Sequence, residues 1–119
     1  MNTRDAGNKG ESFACDFLRQ QGFRILETNY RVKIGEIDIV ARDGEMLVFV
    51  EVKMRDGQDW DPFEAVGPQK QRKLYRVAEQ YLLERYKTLE VDGRFDVLAV
   101  HVMPDGTLEG DLLKNAFYK

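Results

Sequence analysis

The stretch that decides the fold is Gly35–Arg55, GEIDIVARDGEMLVFVEVKMR. Two runs rich in branched and aromatic residues, EIDIVAR and MLVFVEVKMR, are separated by DGE, which reads as a β-hairpin turning at Asp43-Gly44 or Gly44-Glu45. Leu47 to Val50 suit a protein interior, yet Glu51, Lys53 and Arg55 then follow at every second position. Side chains alternate along a strand, so Glu36, Asp38, Val40 and Arg42 are expected on one face of the first strand. Leu47, Phe49, Glu51, Lys53 and Arg55 are expected on one face of the second. A two-residue turn allows two registers, setting either Glu36 or Asp38 opposite Glu51, and both bring Asp38, Glu51 and Lys53 to the same side. A three-residue loop without a compensating bulge would part them.

Carboxylates gathered on a face that Leu47 and Phe49 make apolar repel one another and lose hydration, which is costly unless something matches their charge. A divalent cation is one solution, since a hard ion such as Mg2+ takes carboxylates, a backbone carbonyl and waters. Lys53 would then orient or deprotonate a water on the ion, or neutralise a phosphate under attack. The other solution is structural, with Lys53 and Arg55 pairing with Glu51, Asp38 and Glu36 at the rim of the sheet. Both readings stand on these residues alone. Glu11 adds a third acid, one helical turn from Ala14 and Cys15 and therefore on or beside an inward stripe. Its structural alternative is a capping box with Asn8.

Around the hairpin, Asp5 to Gln21 carries Phe13, Ala14, Phe17 and Leu18 at helical spacing and stops at Gly22. FRILETNYRV reads as a strand. DGQDWDPFEAVGP, Asp56 to Pro68, reads as a surface loop, and Leu74, Val77, Ala78, Tyr81 and Leu82 mark a long helix from Gln69 to about Lys87 with Pro68 in its first turn. RFDVLAVHV is apolar on both faces, as a central strand is; MPDGT is a turn and TLEGDLL a closing strand. The order helix, three strands, helix, two strands predicts an α/β or α+β sandwich, a mixed sheet of about five strands flanked by helices, with strand order open.

With 119 residues, 43% of them hydrophobic, the chain is expected to form a single domain over 1–119. No run of about eighteen apolar residues is present and MNTRDAGNKGESF lacks the apolar centre of a signal peptide, so a cytoplasmic location and no membrane partner are expected. Cys15 is the only cysteine, which excludes an internal disulfide and a thiolate-rich zinc site; it reads as a small buried hydrophobe. The net charge of −3 offers no overall attraction to nucleic acid, but binding depends on where cations sit. QKQRKLYR places Lys70, Arg72, Lys73 and Arg76 on one helix without an acid among them, either a solvated face or a phosphate-contacting one.

The hairpin resembles the PD-(D/E)xK nuclease superfamily, in which an Asp on one strand and Glu-x-Lys on the next form a metal site. Asp38, Glu51 and Lys53 match those positions, while Ile37 stands where the superfamily's Pro would precede the Asp. Over nearly its whole length the chain is similar to the YraN-like family of bacterial proteins, through GNKGE, GFRILETNYR, GEIDIVARDG, LVFVEVKMR, DPFEAVGPQKQRKL, RFDVLAV and NAF. That family is similar in this core to archaeal Holliday-junction resolvases. The resemblance implies a restriction-endonuclease-like core and a Mg2+- or Mn2+-dependent endonuclease acting on DNA, branched DNA included. Glu11, Asp38, Glu51 and the carbonyl of Val52 would hold the metal, and Asp38, Glu51 and Lys53 would be catalytic. Lys70, Arg72, Lys73 and Arg76 would contact backbone phosphates. Gln71 and Tyr75 match a Gln-x-x-x-Tyr helix motif of some of these nucleases, although Tyr75 also has the spacing of a core residue. A catalytically silent nucleic-acid-binding or adaptor module is the alternative, and whether two copies pair as a homodimer to cut two strands is left open. His101 is expected as a hydrogen-bonded strand residue, Trp60 as a cover for the core edge, and Asp96 as a partner of Arg94.

Overall fold

A computed structural model describes residues 3–117, with side chains from residue 9 to 117. In chain order the elements are α1 (Thr3–Gln20), β1 (Arg24–Val32), β2 (Gly35–Asp43), β3 (Met46–Asp56), α2 (Pro68–Tyr86), β4 (Gly93–Val102) and β5 (Leu108–Phe117). The strands form one sheet in the order β1-β2-β3-β4-β5. Neighbours are antiparallel except β3 and β4, which run parallel. A parallel pair cannot be closed by a tight turn, and α2 is the crossover that closes it. This is the expected mixed sheet flanked by helices, an α+β fold consistent with a restriction-endonuclease-like core.

Each face of the sheet is covered by one helix. On one side Leu74, Val77, Ala78 and Tyr81 of α2 pack over Tyr30, Val40, Leu47, Phe49 and Val97. On the other, Ala14, Cys15 and Leu18 of α1 pack over Ile39, Ala41, Val48, Val50, Leu98 and Val100. The even and odd positions of β3 and β4 thus serve two different cores, which is why both strands read as unbroken apolar runs.

Helix α1 closes as a Schellman motif: the Phe23 N–H donates to the Leu18 carbonyl at 3.0 Å and the Gly22 N–H to that of Arg19 at 3.0 Å, with Gly22 at φ 91°. Phe23 and Leu18 share the core beneath the helix, the apolar contact that accompanies this cap. The helix begins at Thr3, ahead of Asn8, so a capping box starting at Asn8 does not define its N-terminus; the Asn8 side chain lies outside the described residues. Helix α2 begins at Pro68, as expected. Strand β5 extends to Phe117, which stacks on Phe95 with ring centroids 5.0 Å apart. Among the described residues no helix is long and apolar enough to cross a membrane.

Candidate metal centre at the splayed end of the hairpin

The β2–β3 turn is two residues, Gly44-Glu45, with Gly44 at φ 62°. Pairing runs from Asp43 opposite Met46 to Ile39 opposite Val50, the register that directs Asp38 toward Glu51. Beyond Ile39 the ladder ends and the Asp38 side chain takes the place of a strand partner: its Oδ2 accepts the Val52 N–H at 2.8 Å. On the neighbouring strand Asn29 adopts φ 53°, and β1–β2 pairing skips from Thr28 opposite Ile39 to Tyr30 opposite Ile37.

Alternation along β2 also breaks at this point. Ile37 packs with Tyr30 and Val40 under α2, whereas Ile39 packs under α1, so strict alternation breaks at Asp38. The expectation that Val40 shares a face with Glu36 and Asp38 is therefore corrected: Val40 lies under α2, while Glu36 and Asp38 flank Ile37 on the other side. Glu36 Oε2 accepts from Arg31 Nε at 3.0 Å, and Arg31 lines the same cleft as Asp38. Asp38, sitting at the break, is accessible from the α1 side while still meeting Glu51.

Glu51 is 7% exposed and hydrogen-bonded to Asp38. Burial, then the Asp38 charge, pushes its carboxyl up to about 7, although Lys70 and Lys53 both pull it down. Asp38 is also raised, by burial first and by Glu36, with the Val52 N–H, Lys70 and Lys53 opposing. Both carboxyls are thus held above their ordinary range, and the two titrate as a pair. Lys53 Nζ lies 3.8 Å from Glu51 Oε1. Lys70, in the first turn of α2, acts on both carboxylates, while Arg72, Lys73 and Arg76 are exposed.

Glu11 stands across a cleft of about 400 Å3 that Asp38 and Val52 also line, and its Oε2 accepts from Asn29 Nδ2 at 2.9 Å. Among the described residues no three acidic, His or Cys side chains are close enough together to hold a metal ion. The structure thus joins Asp38, Glu51, Lys53 and Lys70 and keeps Glu11 at the cleft wall. In donor chemistry the site fits a hard cation: a buried Glu51 beside a half-buried Asp38 is charge that a proton or an ion must offset.

Of the remaining candidates, Gln71 Nε2 donates to the Val66 carbonyl at 2.9 Å, tying α2 to the preceding loop. Tyr75 packs edge-on against Phe95 and Phe117, at centroid distances of 4.8 and 5.9 Å. His101 Nδ1 lies 2.9 Å from the Gly57 carbonyl, and Trp60 stacks beside it at 4.8 Å. Asp96 pairs with Arg94, as expected. Sequence reasoning placed Lys70 among the phosphate contacts and missed it as a partner of the acid pair, because no local pattern relates the first turn of α2 to the hairpin. It also missed Asn29, whose left-handed backbone leaves only the general tolerance of Asn for that conformation as a clue.

A five-stranded mixed sheet between two helices, with an acidic pair and a lysine on its central hairpin, defines a protein with an α+β fold of the restriction-endonuclease-like kind. The chain belongs to the uncharacterised protein family UPF0102, whose model matches residues 10–100 and which is the YraN family. Similar proteins include a UPF0102 protein of Caldicellulosiruptor saccharolyticus, 45% identical, the match covering 98% of this chain and 100% of that one. Another, from Symbiobacterium thermophilum, is 46% identical over 98% of each chain. A third, from Dictyoglomus turgidum, is 42% identical over 98% of this chain and 100% of its own.

Proposed function

We propose that the protein is a divalent-metal-dependent endonuclease that hydrolyses phosphodiester bonds in DNA, branched DNA included. The observation that carries this reading is the Asp38–Glu51 pair with Lys53 Nζ 3.8 Å from Glu51, at the point where β2 and β3 separate. Mg2+ or Mn2+, when bound, would supply Lewis acidity and a water of lowered pKa. Asp38, held in orientation by the Val52 N–H, and Glu51, once it gives up its proton, would hold the ion, with Glu11 and the Val52 carbonyl reaching it from the cleft wall. Lys53, 3.8 Å from Glu51, would orient the water or offset charge building on the phosphate. Lys70 adds a second cation on the α2 side.

The test is a Mg2+ and Mn2+ titration followed by cleavage assays on linear, flapped and four-way DNA and on RNA. Cleavage of DNA should fall at least about a hundredfold in Asp38→Asn and in Lys53→Ala, the scale of losing one preorganised charged group. Cleavage that both variants retain would discard the chemistry. One observation favours a second reading, a nucleic-acid-binding module that does not turn over: Lys53 and Glu11 already have partners, Glu51 and Asn29. Metal binding without cleavage of any substrate would select it.

A further inference from the structure

Two clefts on the α1 side of the sheet meet at Met54. The first, about 400 Å3, contains Glu11, Asn29, Asp38 and Val52; the second, about 580 Å3, contains Lys9, Ser12, Arg55 and Leu108. Met54 lines both and reaches Gly10 of α1, so the clefts adjoin at its side chain as a furrow that Met54 divides, from Asn29 on β1 to the β4–β5 turn at Gly106.

The chemistry changes along this furrow. Its Asn29 end carries the carboxylates of Glu11 and Asp38, where a cation is needed. At its other end Lys9 and Arg55 outnumber Asp56, and both are exposed. Met54, Val102 and Leu108 supply apolar surface beside them. Acid with a cation, apolar wall, then two cations is a sequence suited to a polynucleotide backbone whose reacting phosphate lies at Asp38 and whose next phosphates meet Lys9 and Arg55. The clefts have the volume of small-ligand pockets, the scale of a few nucleotides of one strand. The other cationic set, Arg72, Lys73 and Arg76, stands on α2, over the opposite face of the sheet.

We infer that this furrow, rather than the basic face of α2, seats an unpaired DNA strand leading into the site. The inference rests on the nuclease reading above and adds the substrate's form and path. It is tested by binding in an Asp38→Asn background, which removes one carboxylate charge and, under that reading, cleavage. Anisotropy of a short labelled single strand and of the matching blunt duplex is followed across salt concentrations. The single strand should bind at least about ten times tighter than the duplex. Lys9→Ala with Arg55→Gln should weaken it about tenfold and reduce the salt slope by about 1.4, from two single-strand phosphate contacts at about 0.7 each. Arg55 also lies over the Trp60 ring at 5.4 Å, so Ser12→Trp, which fills the furrow without altering charge, is the second variant and should weaken binding as well. The triple change Arg72→Ala, Lys73→Ala, Arg76→Ala should leave single-strand affinity within about twofold, since those contacts would lie off the path.

Equal affinity for duplex and single strand, or loss on the α2 side alone, overturns the inference. Asp38-dependent cleavage that the furrow variants leave intact also overturns it while the nuclease stands. Strand binding that depends on the furrow, with no DNA ever cut, keeps the furrow and removes the nuclease.

Discussion

Glu51 is the residue whose chemistry changes most when the chain folds. In the unfolded chain it ionises near the ordinary 4.5, and in the fold near 7, because burial and the Asp38 carboxylate both disfavour its charge. The folded state therefore binds more protons between those values. The associated stability is fully present below about 4.5 and is lost as the pH rises through about 7. Denaturation in metal-free buffer should show stability falling over that window by on the order of 3 kcal/mol. Glu51→Gln keeps the shape without the charge, so it should flatten the slope and exceed the wild type in stability above that window. A slope that persists in Glu51→Gln would put the titrating group elsewhere. Binding of a hard cation to the ionised pair should release protons into unbuffered solution. That Asp38, Glu51 and Lys53 come together was legible in the sequence, because parity along two strands needs only a turn length. The raised pKa of Glu51 was not, because desolvation depends on what α2 places above it.

At the level of elements, close approach rather than propensity sets where α1 lies. A Cβ on Gly110 would sit 2.6 Å from the Phe17 ring, so β5 meets α1 at the one residue in that stretch without a side chain. Gly110→Ala should cost about 1–3 kcal/mol by overpacking, seen as a lower urea midpoint with an unchanged slope. An unchanged midpoint would mean that Phe17 swings aside freely. TLEGDLL reads as a weak strand in isolation because glycine lowers strand propensity, and its partner in packing is about ninety residues earlier in the chain. The break at Asp38 has a similar origin. Period-two alternation predicts Ile37 and Ile39 on one face, but Ile37 packs under α2 and Ile39 under α1, opposite a stretch of β1 where Asn29 is left-handed.

Across the whole molecule, one ion-pair network locks the sheet at the end away from the acid pair. Arg94 on β4 bonds Asp96 at 3.0 Å and Asp43 of β2 at 2.7 Å, while Asp96, fully buried, also accepts the Asn115 N–H of β5 at 2.9 Å. Arg94→Ala would leave Asp96 as a buried charge without its cation, and should destabilise the protein by about 3–5 kcal/mol in chemical denaturation. A loss under about 1 kcal/mol would show that the Asn115 N–H alone suffices. The local Arg94–Asp96 pair could be expected from sequence; Asp43 could not, since it joins only when β2 and β4 flank β3. The same division runs through the protein. Alternation, helical spacing and turn residues, all properties of neighbours in the chain, determined the elements, the two-residue turn and the convergence of Asp38, Glu51 and Lys53. Only the tertiary structure decided the strand order, the break in alternation at Asp38, the partnership of Glu11 with Asn29, the approach of Lys70 and the furrow along α1. Each of these depends on desolvation and packing between segments that no local pattern relates.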